Sequence, residues 1–333
     1  MEKSLKKDII INRLPVVIYF ILIFAALMVI ISAVAPMSNH EPKTTDTYSD
    51  FSTGWLNCEE SEASLDHLSG TTVIHRTITA SDCNKTLFFF AKTSNIKVFI
   101  DGVCQYRNNH FCSQFFGKTP GALFVNVLIP AESDGKLLEI EIENPYKDDD
   151  SAKLDEMYIG DISDIIQFQQ QKRFNSFCIS FIIMVLGVVM LLLFIPLTRQ
   201  KIVGIEFLNL GVTAFVSGLY LTTDGRYLQL VFGDAHIYHV IAETALRLSI
   251  LPFLIFLSQV YESYSKRISA ILCVIGEIVF AGCFIGEITE IMDYHETLLL
   301  AHVVFAISML FILVSTIKGI VKAPKENICH NIG

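Results

Sequence analysis

The sequence predicts an α+β membrane protein: an N-terminal transmembrane anchor, then an extracytoplasmic antiparallel β-sandwich, then an all-α transmembrane helix bundle. Three observations predict this fold class. Of the 333 residues, 52% are hydrophobic and only 18% are charged, whereas about a quarter of the residues of ordinary soluble domains are charged. Six apolar runs are long enough to cross a bilayer, which takes about 20 residues. The long segment between the first two runs is polar and has strand-like alternation. The composition excludes a soluble enzyme.

The six apolar runs divide the chain into regions. They cover 14–35, 177–197, 202–221, 237–260, 268–288 and 298–317. A basic N-terminus at 1–13 precedes the anchor at 14–36, and the last five runs form a helical region at 177–320. Ala33-Val34-Ala35 also fits a signal-peptide cleavage site, but Pro36 would follow the cut, and the run is longer than a signal core of about 7–15 residues. We therefore favour an uncleaved anchor over a cleaved signal peptide.

The distribution of lysine and arginine predicts the orientation. Basic residues occur before the first run, after the second, after the fourth and after the sixth, whereas the loops at 222–236 and 287–297 are acidic or nearly neutral. We expect a multi-pass protein of the cell membrane with a cytoplasmic N-terminus and with residues 37–175 outside the cytoplasm. This outer region contains 21 acidic and 12 basic residues and so accounts for the whole net charge of −9, which argues against a nucleic-acid partner.

Residues 321–333 have the pattern of a cytoplasmic loop followed by the start of a further span. Ala323-Pro324 lies among basic residues, and Ile328 and Cys329 begin a less polar stretch. We expect that the chain belongs to a longer protein whose remainder holds further spans and a cytoplasmic domain.

Residues 37–161 predict the sandwich. Within 137–143, apolar residues alternate with glutamates from Leu138 onward. Asp101-Gly102 between apolar flanks is a strong hairpin signal, because glycine tolerates a positive φ. Regular turns separate the other apolar stretches. The predicted strands are 71–79, 87–93, 96–100, 123–129 and 137–143.

Four cysteines of this region are disulfide candidates, because the outer side of a membrane is oxidising. Cys104 and Cys112 flank a short loop and are the favoured pair, which leaves Cys58 to pair with Cys83. Four cysteines allow three pairings, and the alternative is four free thiols. No Cys and His spacing indicates a metal site, and we expect no cofactor.

The hairpin Ile96-Lys97-Val98-Phe99-Ile100-Asp101-Gly102, with Tyr106 after it and Gly54-Trp55 upstream, resembles a motif of galactose-binding-like jelly rolls. The resemblance covers residues 52–146 and implies a jelly roll that binds a carbohydrate-like or other small extracellular ligand. Trp55 would stack on a sugar ring, although a core position is the alternative. Loops collect binding residues, and the loop after the hairpin supplies the other ligand candidates: Tyr106, Arg107, Asn108 and His110.

Residues 162–176 predict a linker helix that continues into the second span and would pass motion of the sandwich to the bundle. The order of anchor, sandwich, Tyr158-Ile159-Gly160-Asp161, linker and five spans resembles the bacterial seven-transmembrane receptors with diverse intracellular signalling modules. This resemblance covers almost the full chain. It implies a signal-transduction receptor with the sandwich as its sensor domain. It also implies a C-terminal output, commonly a GGDEF diguanylate cyclase that makes cyclic di-GMP, and a homodimer through that output.

Ionisable residues within membrane spans are costly and are usually paired or functional. Arg247 and Glu277 lie near the middle of adjacent runs, and Glu243 and His302 lie at a matching depth nearer the outer side. We predict that Arg247 pairs with Glu277 and that Glu243 lies near His302. Such a polar cluster either fixes helix register or acts as a switch.

Three functions compete at this stage. The leading hypothesis is a receptor whose enzymatic output lies beyond these residues, since no GGDEF, kinase or phosphodiesterase motif occurs here and no catalytic residue is assigned. The second is a transporter or channel capped by the sandwich, with a water-filled path along the polar residues. The third is a membrane enzyme that acts on envelope polysaccharides. For all three, the partner predicted by composition is the lipid bilayer.

Overall fold

The computed structural model of the chain describes residues 47–108, 121–146, 151–233, 235–261 and 264–322. The predicted anchor at 14–36, His110, Cys112 and the end of the chain lie outside the described residues. The described chain begins with strands and ends with helices, which confirms the predicted fold class.

Nine strands form two antiparallel sheets. One sheet has the order β1-β9-β4-β7 and the other β2-β3-β8-β5-β6. Without the short β2, these are the two four-stranded sheets of a jelly roll. In this arrangement the first and last strands of the sandwich, β1 and β9, are neighbours. The strands are β1 Tyr48–Asp50, β2 Leu56–Asn57, β3 Thr71–Thr77, β4 Thr86–Lys92, β5 Asn95–Ile100, β6 Val103–Arg107, β7 Ala122–Leu128, β8 Leu137–Glu143 and β9 Lys153–Gly160.

Alternation along the strands builds the sandwich core. In β8, Leu138, Ile140 and Ile142 are fully buried, while the glutamates between them face outward, where Glu141 pairs with Lys97 at 2.6 Å. Since successive side chains of a strand point to opposite faces, one apolar face from each sheet meets in a single continuous core.

The hairpin predicted at Asp101-Gly102 joins β5 to β6. Both residues have positive φ, 51° and 74°, as a type I′ turn requires. The twist of such a turn matches that of the strands it joins, which is why Asp-Gly between apolar flanks predicts a hairpin.

The central strand β9 was not predicted, because its alternation is broken. Leu154 and Met157 are both buried although they are three residues apart, and the register with β4 shifts between Phe88 and Phe90. Glu156 has a φ of 52° at this point. A β-bulge of this kind adds one residue to one strand and redirects its side chains.

Six helices follow the sandwich. Five of them are long and apolar enough to cross a membrane, which supports the predicted multi-pass arrangement. The six helices of the described residues are α1 Ile162–Arg199, α2 Ile205–Asp224, α3 Tyr227–Phe232, α4 Ala235–Val260, α5 Lys266–Ile288 and α6 Leu298–Lys322, of which α3 is too short to span a membrane.

Helices α1 and α2 pack most closely. A Cβ added to Gly187 of α1 would lie 2.3 Å from the backbone nitrogen of Phe215, and one added to Gly218 of α2 would lie 2.4 Å from that of Met184. Small residues let helices approach in this way in membranes. The loops between α2 and α4 and between α5 and α6 lie on the sandwich side of the bundle.

Candidate functional site at the junction of sandwich and bundle

The outer face of the sheet β1-β9-β4-β7 is aromatic and covered. Phe89 of β4 faces the core, but Phe88 and Phe90 on the opposite face are only 1% and 3% exposed. Phe124 of β7 lies 5.4 Å from both rings. Antiparallel sheets commonly leave one face in water. Here that face is the surface on which the helices dock.

Two arginines from the helical part lie over this aromatic face. The guanidinium carbon of Arg173, on α1, is 5.1 Å from the centre of Phe124. That of Arg226, in the turn between α2 and α3, is 3.8 Å from the centre of Phe90. Cations are attracted to the faces of aromatic rings, and more strongly when partly desolvated. The contacts therefore hold both helices against the sheet.

The β9 bulge aims Glu156 at the start of α1. Its carboxylate lies 2.8 Å from Nζ of Lys172 and 2.6 Å from Nη2 of Arg173. Burial alone would raise the pKa of Glu156, but the hydrogen bonds and positive charges of Lys172 and Arg173 outweigh burial and hold that pKa below its ordinary value of 4.5. This ion cluster ties the linker helix to the sheet.

A second tie joins the sandwich to the loop between α5 and α6. The buried hydroxyl of Tyr146, just after β8, donates a hydrogen bond to Oδ2 of the buried Asp293. The Tyr146 ring also stacks on His295 at 4.2 Å. Asp293 and Glu296 accept hydrogen bonds from each other's backbone N–H, both at 3.0 Å. This is the reciprocal pattern of a capping box, and it gives the loop a fixed shape.

Tyr294, in the middle of this loop, reaches into the bundle. Its backbone N–H donates to Oε2 of Glu287 at 2.5 Å, and its carbonyl accepts from Nη2 of Arg247 at 2.8 Å. Its hydroxyl is 2.9 Å from Oγ1 of Thr244, and the Arg247 guanidinium lies 4.2 Å from its ring centre. One residue therefore links the loop to α4 and α5.

A cavity of about 310 Å³ lies between the sandwich and the bundle. Its walls come from both parts: the ends of β4 and β7 on one side, and α2, the α2–α3 turn, α4 and the α5–α6 loop on the other. Gly121, where β7 begins, approaches α4 so closely that an added Cβ would be 2.8 Å from Cβ of His239. The charged and imidazole side chains that line the cavity are Lys92, Asp224, Arg226, His239, Glu243 and His295.

A second, more apolar cavity of about 240 Å³ lies deeper, among α2, α4, α5 and α6. Arg247, His302 and Tyr220 are its ionisable lining residues. Arg247 therefore contributes to the deeper cavity while its bonds reach the loop at the sandwich.

The predicted pairing of Arg247 with Glu277 is wrong. Nη1 of Arg247 contacts Oε2 of Glu243, one turn earlier on the same helix, at 2.5 Å. Glu277 is exposed on the outer surface of α5, whereas His302 lines the deeper cavity together with Arg247. The prediction matched the four residues by their estimated depth in the membrane. The rotation of α5, however, places Glu277 on the face that points away from Arg247.

The structure separates the ligand candidates of the sandwich. Trp55 is 1% exposed, and its Nε1 donates to the carbonyl of Phe51 at 2.8 Å, so it is a core residue that cannot stack on a sugar. Tyr106 and Arg107 lie on the edge strand β6. Oδ1 of Asn108 accepts from the backbone N–H of Ile96 at 2.7 Å, which gives Asn108 a structural role.

The described cysteines of the sandwich are free thiols. The expected bond between Cys58 and Cys83 is not formed, because each sulfur contacts a different backbone carbonyl: that of Val73 for Cys58 and that of Thr79 for Cys83. Cys104 is an exposed thiol on β6.

Sequence reasoning missed the residues that form the junction. Glu156 is hidden by the bulge, and Tyr146 and Arg226 stand in turns without a periodic pattern. The one available signal was Asp293-x-x-Glu296 before an apolar run, which is a capping-box pattern. It marks the loop but not its contact with the sandwich.

Comparison with known proteins gives no relative: no family model, no curated protein and no solved structure matches the chain. Within the described ranges, no group of three or more His, Cys, Asp or Glu side chains could hold a metal ion.

Proposed function

We propose that the chain is the sensor and relay part of a bacterial membrane receptor. The observation that carries the proposal is the three-residue path through the α5–α6 loop. Asp293 and His295 contact Tyr146 of the sandwich, while Tyr294 between them contacts Arg247 in the bundle. Movement of the sandwich would therefore displace the bonds of a buried arginine.

The linker helix supplies a second route in this proposal. Helix α1 has 38 residues, which at about 1.5 Å per residue is well beyond the thickness of a bilayer core. Its first turns are pinned to the sheet by Glu156, and the rest continues without interruption into the membrane. A tilt of the sandwich would reach the far end of α1 as a tilt of the same helix.

The receptor function is favoured over a transporter by the position of Glu277. A transport path was expected to contain Glu243, Arg247, Glu277 and His302 together, but Glu277 lies on the outside of the bundle. The deeper cavity is lined mainly by apolar side chains. An aqueous route along these residues is therefore poorly supported.

The output implied by the receptor resemblance is a GGDEF diguanylate cyclase, and we extend the proposal to it. The test is to read the coding DNA beyond the codon of Gly333. A continuous frame encoding two further spans and a GGDEF domain supports the receptor cyclase. A frame that encodes only further spans would move transport to first place.

The relay is tested by Tyr146→Phe, which removes the hydroxyl bond to Asp293 and keeps the ring. We expect amide hydrogen exchange at the opposite end of the bundle, in residues 200–204 and 264–265, to change several-fold. Tyr106→Phe is the matched control, since Tyr106 lies on β6 away from the junction. Equal exchange in both variants and the parent protein would overturn the relay.

A further inference from the structure

We propose that the junction cavity binds the oxyanion of a small molecule, a carboxylate or a phosphate, with Arg226 as the anion-binding residue. This deepens the receptor function proposed above: it rests on that function for its consequence, while binding itself is measured independently.

Arg226 differs from the other arginines near the junction in having no anionic partner. Arg173 is paired with Glu156 and Arg247 with Glu243. In the described part of the chain, no carboxylate oxygen lies within 4.0 Å of a side-chain nitrogen of Arg226. Its guanidinium is half-buried above Phe90. Burial and the nearby charge of Arg173 lower its pKa, and they outweigh the opposing charges of Asp224, Glu156 and Asp155. A partly desolvated cation is stabilised by an anion that the protein does not itself supply.

The backbone presents Arg226 to the cavity in an uncommon conformation. Arg226 has a φ of 62°, although Gly225 before it is right-handed with a φ of −63°. The left-handed region is disfavoured for a residue with a side chain, because its Cβ then crowds the backbone. The chain thus places the strained conformation on the arginine instead of on the adjacent glycine, as occurs at sites where side-chain position matters.

His239 offers a second group to the same anion. Its Nε2 is buried and has no hydrogen-bond partner among the described residues, and the residue lines the same cavity as Arg226. A buried imidazole nitrogen without a partner is costly. An oxyanion that accepts from Arg226 and from Nε2–H of His239 would satisfy both.

The remaining charges limit the ligand to a small one of low charge. Lys92 is exposed at the rim and adds a second cation. Glu243 is already engaged by Arg247, so the carboxylate left to face the cavity is the exposed Asp224. Asp224 disfavours a polyanion and can accept from an ammonium or hydroxyl group. The volume is at the lower end for small-molecule sites, and a molecule bound here would touch sandwich and bundle together.

Inorganic phosphate is the probe for binding by the whole purified chain in detergent. Trp55, the single tryptophan, lies in the sandwich core and reports thermal unfolding by its fluorescence. We expect phosphate, but not chloride at equal ionic strength, to raise the unfolding midpoint. R226Q should bind phosphate at least tenfold more weakly. R267Q, at an exposed position on the far end of the bundle, should behave like the parent protein.

Arg226 follows the apolar helix α2 by two residues, so a lipid headgroup could supply the same phosphate. Native mass spectrometry separates the two sources: a phospholipid retained by the parent protein and by R267Q, lost from R226Q and displaced by phosphate, identifies a headgroup. Phosphate binding without retained lipid identifies a soluble ligand. If R226Q does not fold, R226K preserves the charge and should bind with reduced affinity.

Two results would overturn the site. In the first, phosphate raises the unfolding midpoint of all variants equally. In the second, phosphate stabilises none of them and no lipid is retained in an Arg226-dependent way. The relay can fail separately. Tyr146→Phe keeps every cavity-lining charge and should bind phosphate like the parent protein, whether or not its amide exchange at the far end of the bundle changes.

Discussion

The sandwich and the helix bundle use the same kinds of apolar residue under opposite solvent conditions. Buried side chains from both sheets form one continuous core in the sandwich. In the bundle the buried clusters are small, and large apolar side chains lie on the outside, such as Leu299 at 76% and Leu192 at 69% exposure. Burial from water stabilises the first part. Lipid solvates the apolar surface of the second, so packing and polar contacts carry its specificity.

Substitution of a sandwich core residue should have the largest effect. Phe89→Ala empties a site that is 0% exposed, and we expect it to lower the free energy of unfolding by about 3–5 kcal/mol. Leu310→Ala, on the outer surface of α6 with 61% exposure, should change it by less than about 0.5 kcal/mol. Denaturation followed by Trp55 fluorescence measures the first, and helical circular dichroism the second. Similar losses at the two sites would contradict the contrast.

Removal of the buried cation should have the largest effect within the bundle. Arg247→Met leaves Glu243 and the carbonyl of Tyr294 without their donor, at a cost of about 3 kcal/mol. A double-mutant cycle tests the pairing. Coupling of Arg247→Met with Glu243→Gln should exceed about 1 kcal/mol, and coupling with Glu277→Gln should be near zero. A larger coupling energy with Glu277→Gln than with Glu243→Gln would instead support a pairing of Arg247 with Glu277.

Substitution of two glycines with nearly equal φ distinguishes the energy of backbone strain from the energy of a steric clash between sandwich and bundle. Gly102 has a φ of 74° and open space at its Cβ position, whereas Gly121 has a φ of 76° and Cβ of His239 at 2.8 Å. We expect Gly102→Ala to cost about 1 kcal/mol and Gly121→Ala about 2 kcal/mol or more, because overpacking adds to strain. Thermal unfolding in detergent measures both. Equal losses of stability in the two variants would mean that the start of β7 is not in tight contact with α4.

Acidification should loosen the tie between sheet and linker helix. The pKa of Glu156 is lowered in the folded protein, so its stabilisation is complete above pH 4.5 and is lost as pH falls through the lowered value. Glu156→Gln should remove about 1 kcal/mol at neutral pH and show a weaker dependence on pH below 4.5. Amide exchange in the first turns of α1 measures this. An unchanged pH profile in the variant would show that other carboxylates control the tie.

Periodicity was sufficient to predict most strands and all five described spans. The strands at 71–79, 87–93, 96–100, 123–129 and 137–143 agree with β3, β4, β5, β7 and β8 to within two residues at each end. It failed at β9, because the bulge at Glu156 inserts a residue and destroys the period of two. The same bulge forms the ion cluster, so the place where the pattern fails is also a place where the two parts of the molecule meet.

The candidate site was beyond prediction for a related reason. Tyr146 and Asp293 are 147 residues apart, and nothing in either neighbourhood of the sequence specifies the other. Arg226 follows a glycine in a polar turn, which ordinarily marks a surface loop. What sets it apart is its contact with Phe90, an aromatic ring on the outer face of a sheet distant in sequence.

The sequence by itself determined the fold class, the number of described spans and the position of each ionisable residue along its helix, because hydropathy and period are properties of neighbours along the chain. Only the tertiary structure decided which of these residues meet. A helix turns by about 100° with each residue, so two side chains at one depth can lie on opposite faces. Arg247 and Glu277 both stand near the middles of their helices, but the rotation of α5 turns Glu277 outward and leaves Arg247 to Glu243 and Tyr294.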